Sequence, residues 1–259
     1  MVRSTSSIGH KSSSHAATQC LGKGLALSVT GSDAMSLKGS WVRSSATDRQ
    51  ERAAAFLRDL PKVHERGQKG PRPGGLNPRI GQVIIDETAK LGDGPRSIET
   101  GAGNSSLLFM MLGCSSVTAI APDDKLGRRI LSEAAARGLD DSVLRYIEER
   151  SEIALPRLAI EEQASCDIAF IDGNHGWPSV FVDFCYLNMM MDRDAILFVD
   201  DVHLYSCAQL MLLLKEQPGY ELVSVVSKLA TFRKRTKARF LPDWAAEPFI
   251  VSNTSFVAL

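Results

Sequence analysis

Five ionisable side chains stand in two short clusters of this sequence, and their types suit the handling of protons and hard cations. Asp172 and His175 close the run Cys166-Asp-Ile-Ala-Phe-Ile-Asp-Gly-Asn-His175, and Asp200, Asp201 and His203 follow Ala195-Ile-Leu-Phe-Val. Each run starts as an apolar strand, so the acids sit at strand ends. Parallel neighbours present such ends at one edge of a sheet, where open α/β proteins bind ligands. Three carboxylates gathered there repel one another unless protonated or offset by a cation. Asp172, Asp200 and Asp201 are therefore a candidate ligand set for Mg²⁺ or another divalent cation, which prefer oxygen donors. The competing reading has Asp172 contacting an organic ligand and Asp201 capping the next helix. His175 and His203 lie in loops just beyond, and an imidazole titrates near neutral pH, so either suits removal of a proton from an acceptor. A loop histidine also serves as an ordinary surface hydrogen-bonding group. Asp172, His175 and Asp200 form the candidate catalytic set; Trp177 either shapes an acceptor pocket or packs. His10, His15 and His64 receive no role.

A further cluster lies upstream, in Ser97-Ile-Glu99-Thr-Gly101-Ala-Gly103-Asn-Ser105-Ser106. The run passes from a strand through a glycine turn into a helix. Gly101 and Gly103 permit a sharp bend and close approach to a ligand, while Asn104 or Ser105 caps a helix whose N–H groups face that ligand. Glu99 at the strand end would repel a pyrophosphate but suits a ligand carrying an ammonium group. The third glycine of the dinucleotide fingerprint is missing, with Ser105 or Ser106 near its place. A branched side chain at Gly101 is expected to remove ligand binding while sparing the fold.

ETGAGNSS resembles the E-x-G-x-G-x-S motif of class I S-adenosylmethionine-dependent methyltransferases. The D-x-x-F-I-D-G-x-H and V-D-D segments are similar to those of a subgroup related to the catechol and caffeoyl-CoA O-methyltransferases. The resemblance spans residues 78–235 in order. It implies methyl transfer from S-adenosylmethionine to a small-molecule acceptor, through oxygen, with Glu99, Gly101, Ala102, Gly103, Ser105 and Asp172 toward the cofactor. It also implies Ser151 near the adenine and metal ligands at the three strand-end acids. The family places an acid at the end of the second strand for the ribose hydroxyls; here that position is Ala121. Asp123 either substitutes for it or simply caps the helix that follows. Two rivals stand beside this reading: a cofactor-binding protein on the same fold without turnover, favoured by Ala121, and an NAD-dependent oxidoreductase, opposed by Glu99 and the missing glycine.

The elements that must position these residues follow one another regularly. Strands are predicted at 96–99, 116–121, 144–147, 167–172 and 195–199, with helices near 105–112, 125–137, 152–162, 178–190 and 204–216. This alternation specifies parallel βαβ units. Runs at 221–226 and 229–235, separated by Ser227-Lys228, form a hairpin. The expected fold is α/β and Rossmann-like: a mostly parallel seven-stranded sheet ending in an antiparallel hairpin, with helices on both faces. Residues 76–259 form the methyltransferase domain, opened by a helix with Asn77 as cap and Pro78 first. Before it, residues 46–75 supply a helix over 47–60 and a linker at 67–75.

Residues 1–45 hold twelve serines and a single acid, Asp33, and read as a disordered tail, with an organellar transit peptide as the alternative. Among 259 residues, 30 basic and 30 acidic groups balance, which gives no general attraction to nucleic acid or membrane. Five cysteines without a CxxC pair suit a reducing, cytoplasmic setting. Homodimerisation is left open.

Overall fold

The computed structural model describes residues 45–64 and 76–253. The expected tail, apart from Ser45, and the linker at 67–75 lie outside the described residues. Helix α1 (Ala46–Phe56) begins at Ser45, whose hydroxyl accepts the Asp48 N–H while the Asp48 carboxylate accepts the Ser45 N–H. This reciprocal cap satisfies two donors that a helix start otherwise leaves open. Helix α2 (Pro78–Ala89) starts at Asn77, whose side chain accepts the Arg79 N–H, and buries Ile80, Ile84 and Thr88. Phe56, Leu57 and Val63 are 5%, 5% and 2% exposed and belong to the same core as α2. Burying three such side chains stabilises by about 1.5–3 kcal/mol each. The domain therefore begins at α1 rather than at residue 76.

Seven strands form one sheet: β1 (Arg96–Thr100), β2 (Ser116–Ile120), β3 (Leu144–Ile147), β4 (Cys166–Ile171), β5 (Met191–Val199), β6 (Tyr220–Val226) and β7 (Leu229–Lys234). Their order is β3-β2-β1-β4-β5-β7-β6, and β7 runs antiparallel to both neighbours. Helices α3 (Asn104–Met111), α4 (Asp124–Ala136), α5 (Ser151–Pro156), α6 (Ser179–Met190) and α7 (Tyr205–Glu216) alternate with the strands, and α8 (Pro248–Asn253) follows β7. Where a helix was expected over 152–162, α5 stops at Pro156 and the chain continues as a wider π-type turn over Arg157–Glu161. A proline cannot donate the next helical hydrogen bond, which accounts for the break.

Side chains alternate across the sheet and build a core on each face. Along β4, Ile168 and Phe170 join α2, α3 and α4, while Ala169 and Ile171 join α5, α6 and α7. Phe109, Phe170 and Phe198 stack edge to face with centroids 6.3 and 6.0 Å apart, locking α3 onto β4 and β5. Strand order reverses between β1 and β4, so their carboxyl ends diverge into loops at one point of the edge. No helix among the described residues is long and apolar enough to cross a membrane.

Candidate active site

The loop from β1 into α3 is held from beneath by Glu99. Its carboxylate is fully buried and accepts hydrogen bonds from Ser105 Oγ (2.5 Å) and Ser106 Oγ, while Ser106 Oγ accepts the Gly103 N–H at 3.1 Å. The motif's acid and its two serines thus tie the strand end to the first turn of α3. Burial pushes the Glu99 pKa up to about 8, against the pull of the two serine hydroxyls. The carboxylate is enclosed by the loop and the first turn of α3.

Gly101 lies at the switch point between β1 and β4. Its φ is +87°, and a Cβ there would stand 2.4 Å from the Asp172 backbone oxygen. The Asp172 N–H in turn donates to Thr100 O at 3.0 Å. A branched residue at Gly101 would force the two strand ends apart, so the expectation that such a variant spares the fold is overturned. Gly103, next to Ala102, faces His64, whose Nε2 would be 2.6 Å from a Cβ at that glycine. His64, Leu76, Ala102, Gly103, Asn104, Ser105 and Asp172 together line a small cleft. The N-terminal segment therefore roofs the loop, a role that no local pattern around His64 revealed. Asn104 Nδ2 fastens it by donating to Pro61 O at 3.2 Å.

Beyond Gly101 opens a cavity of about 240 Å³, lined by Ile120, Ala121, Pro122, Arg150, Ser151, Glu152, Gly173 and Asn174 as well. Ala121 and Ser151 are among the residues that line it. Asp123 is not: its carboxylate accepts the Lys125 and Leu126 N–H groups at 2.9 and 3.2 Å as the cap of α4. Tyr146 Oη fixes this turn by donating toward Ala121 O and Asp123 O. The cavity's polar wall comes from residues with no motif to mark them. Ser179 Oγ donates to Glu152 Oε1 at 2.5 Å, Asn174 Nδ2 donates to Ser179 Oγ at 2.9 Å, and Arg150 pairs with Glu152 at 3.0 Å. The Arg150 and Ser179 hydrogen bonds hold the Glu152 carboxyl down at about 2.

At the ends of β4 and β5 the charged groups converge. His175 Nε2 stands 3.6 Å from Asp172 Oδ1 and 3.4 Å from Asp201 Oδ2. Asp201 has φ of +53°, a left-handed conformation that aspartate tolerates better than most residues. Asp172 is driven upward from the usual carboxylate range by burial, and His175 is raised chiefly by the Asp172 carboxylate 3.6 Å from its Nε2. His203 is more exposed, with Nδ1 3.7 Å from Asp201 Oδ1.

The predicted metal set does not assemble as proposed. Lys228, from the turn between β6 and β7, places Nζ 2.8 Å from Asp200 Oδ2 and 2.7 Å from Asp201 Oδ1. Among the described residues, the group whose ligand atoms approach closely enough for an ion is Asp172, His175 and Asp201, without Asp200. An ammonium already occupies the position between Asp200 and Asp201 where an oxygen-bound dication would sit. The donor set left over includes an imidazole nitrogen, which suits Mg²⁺ poorly. Asp172, His175 and Asp201 thus offer a mixed oxygen and nitrogen set, less suited to Mg²⁺ than the three acids the resemblance implied.

Residues 98–202 match the family model described as a methyltransferase domain. No curated relative matches the sequence. Among solved structures, the O-methyltransferase TomG from Streptomyces achromogenes, involved in tomaymycin synthesis and bound to S-adenosylmethionine, is similar. It shares 17% identity and a TM-score of 0.52, over 78% of this chain and 95% of that one. The branched-chain polyamine synthase from Thermus thermophilus also shares the fold, at 14% identity and a TM-score of 0.52, over 78% of this chain and 67% of its own.

Proposed function

We propose that this chain, a class I S-adenosylmethionine-dependent methyltransferase by its domain and fold, transfers the sulfonium methyl to an oxygen of a small-molecule acceptor. One observation carries the finer reading: His175 stands between Asp172 and Asp201 at the edge where the glycine loop ends. The loop and the cavity beside Ala121 and Ser151 suit the adenosyl donor. Transfer proceeds in line, forming the O–CH₃ bond as the S–CH₃ bond breaks and leaving neutral S-adenosylhomocysteine. The sulfonium is already activated, so the protein supplies proximity and takes up the acceptor's proton at the cluster of His175, Asp172 and Asp201. Trp177, on the loop after β4, and Tyr205, which opens α7 after β5, are 78% and 80% exposed and offer aromatic faces for an uncharged acceptor. No step is assigned to a metal.

The test is twofold. S-adenosylhomocysteine should bind in calorimetry, and labelled methyl from S-adenosylmethionine should appear in one member of a metabolite pool. With that acceptor, His175→Gln should lower turnover about 10²–10⁴-fold while S-adenosylhomocysteine affinity stays within about threefold. The pH profile has a defined sign. A raised imidazole pKa keeps the proton on to higher pH, so activity should rise with pH to a midpoint above the ordinary 6.5. A full-turnover His175→Gln enzyme, or a flat profile from about pH 6 to about pH 9, would remove the base from the mechanism.

A further inference from the structure

We propose that Lys228 is the resident cation of this edge, taking between Asp200 and Asp201 the place a bridging divalent ion would hold, so that these two acids need no metal. The inference rests on the reading that the acceptor meets these strand ends, but its test does not depend on turnover.

The backbone puts the lysine there. Val226 pairs with Leu229 across a turn of only Ser227 and Lys228, with Ser227 at φ +58°. The Val202 N–H donates to Lys228 O at 2.9 Å, fastening this turn to the loop that follows Asp200 and Asp201. The hairpin that completes the sheet thereby delivers a cation to the ends of its parallel part. Lys228 is 20% exposed at its side chain, Asp200 6% and Asp201 16%. Carboxylates so far removed from water are costly without a charged partner, and the two short contacts are charge-assisted bonds of the strong kind.

The geometry also excludes simultaneous occupancy. A Mg²⁺ ion needs oxygens at about 2.1 Å. Bridging Asp200 Oδ2 and Asp201 Oδ1, it would fall on the ammonium that already contacts both. Either the ion or the lysine holds these oxygens. Lys228 has a second consequence, because it engages Oδ1 of Asp201 and leaves Oδ2 directed at His175 Nε2, 3.4 Å away. It is a positioning residue for the base as well as a counter-charge.

The experiment is equilibrium dialysis of the full chain against Mn²⁺, read by electron paramagnetic resonance, with Mg²⁺ as competitor. Wild type should retain no ion whose binding depends on Asp200. Lys228→Met should gain Mn²⁺ affinity by at least about tenfold, and the added Asp200→Asn change should cancel that gain. Lys228→Met should also melt lower than wild type, and Asp200→Asn should restore part of the loss, since removing the cation leaves facing carboxylates. A purely structural lysine would move the melting point but not the metal uptake. One Mn²⁺ per wild-type chain that Asp200→Asn abolishes overturns the proposal, as does a folded Lys228→Met that takes up no more Mn²⁺ than wild type. Should Lys228→Met not fold, the wild-type dialysis decides alone. S-adenosylhomocysteine binding, measured beside it, reports separately on the cofactor assignment.

Discussion

At the ends of β1 and β2 the acidic groups are turned under the backbone or used as caps, whereas at the ends of β4 and β5 they face one another across a few ångströms. Glu99 is closed beneath its loop by two serines, and Asp123 holds the first turn of α4. On the other side, Asp172, His175, Asp201, Asp200 and Lys228 form a continuous chain of charge. At the first pair of ends a glycine loop is exposed through its backbone, and at the second the charged side chains themselves face one another. A small substitution should therefore break the first through sterics and the second through electrostatics.

The largest expected effect is at Gly101. Alanine or valine there meets both a left-handed φ and a backbone oxygen at 2.4 Å, so strain and overpacking add. About 2–6 kcal/mol should be lost, a large part of a domain's total stability. Chemical denaturation of Gly101→Ala measures it. A variant as stable as wild type would mean that the two strand ends are not clamped, and that the glycine serves the ligand alone.

A smaller effect is expected at Glu99, and it depends on pH. Its folded pKa is raised to about 8 from an ordinary 4.5, so the folded state holds a proton that the unfolded chain releases between these values. The stabilisation is complete below about 4.5 and is lost as pH rises through about 8. Glu99→Gln keeps an amide for the serines but does not titrate. Wild type should lose a few degrees of melting temperature relative to Glu99→Gln between about pH 5 and about pH 8. Parallel curves would show that Glu99 stays ionised under the loop.

What was legible in the sequence divides along the same line. The strands, most helices and the hairpin follow from apolar periodicity and from Gly, Pro and Asn signals, and these are local. The loop glycines and strand-end acids were visible for the same reason. Lys228 and the Arg150–Glu152 pair, tied to Asn174 through Ser179, were not, because their meaning arises only when distant segments meet. Lys228 lies 27 residues from Asp201, in a turn whose own pattern says only that two strands reverse. His64 likewise acquires its place from the packing of α1 against α2 and α3. Asp123 was ambiguous at the sequence level because a cap and a ribose ligand demand the same residue type near a strand end.

Asp123 gives the smallest effect and the sharpest separation of roles. Its Oδ1 accepts two N–H groups at the start of α4, so Asp123→Ala should cost about 1 kcal/mol and lower the melting temperature by a few degrees. Asp123→Ser, which keeps an acceptor but not the charge, should recover most of that loss. Because the carboxylate is absent from the lining of the cavity beside Ala121, S-adenosylhomocysteine affinity should change less than about twofold in both variants. A ribose-binding carboxylate would behave differently: its loss would weaken the nucleoside by about tenfold or more, equally in the alanine and serine variants, whatever happened to stability. Calorimetric titration beside thermal melts separates these outcomes. Loss of affinity that serine does not rescue would place charge in the cofactor half after all, and the contrast between a shape-built and a charge-built edge would fail at the one acid that lies nearest the ribose position.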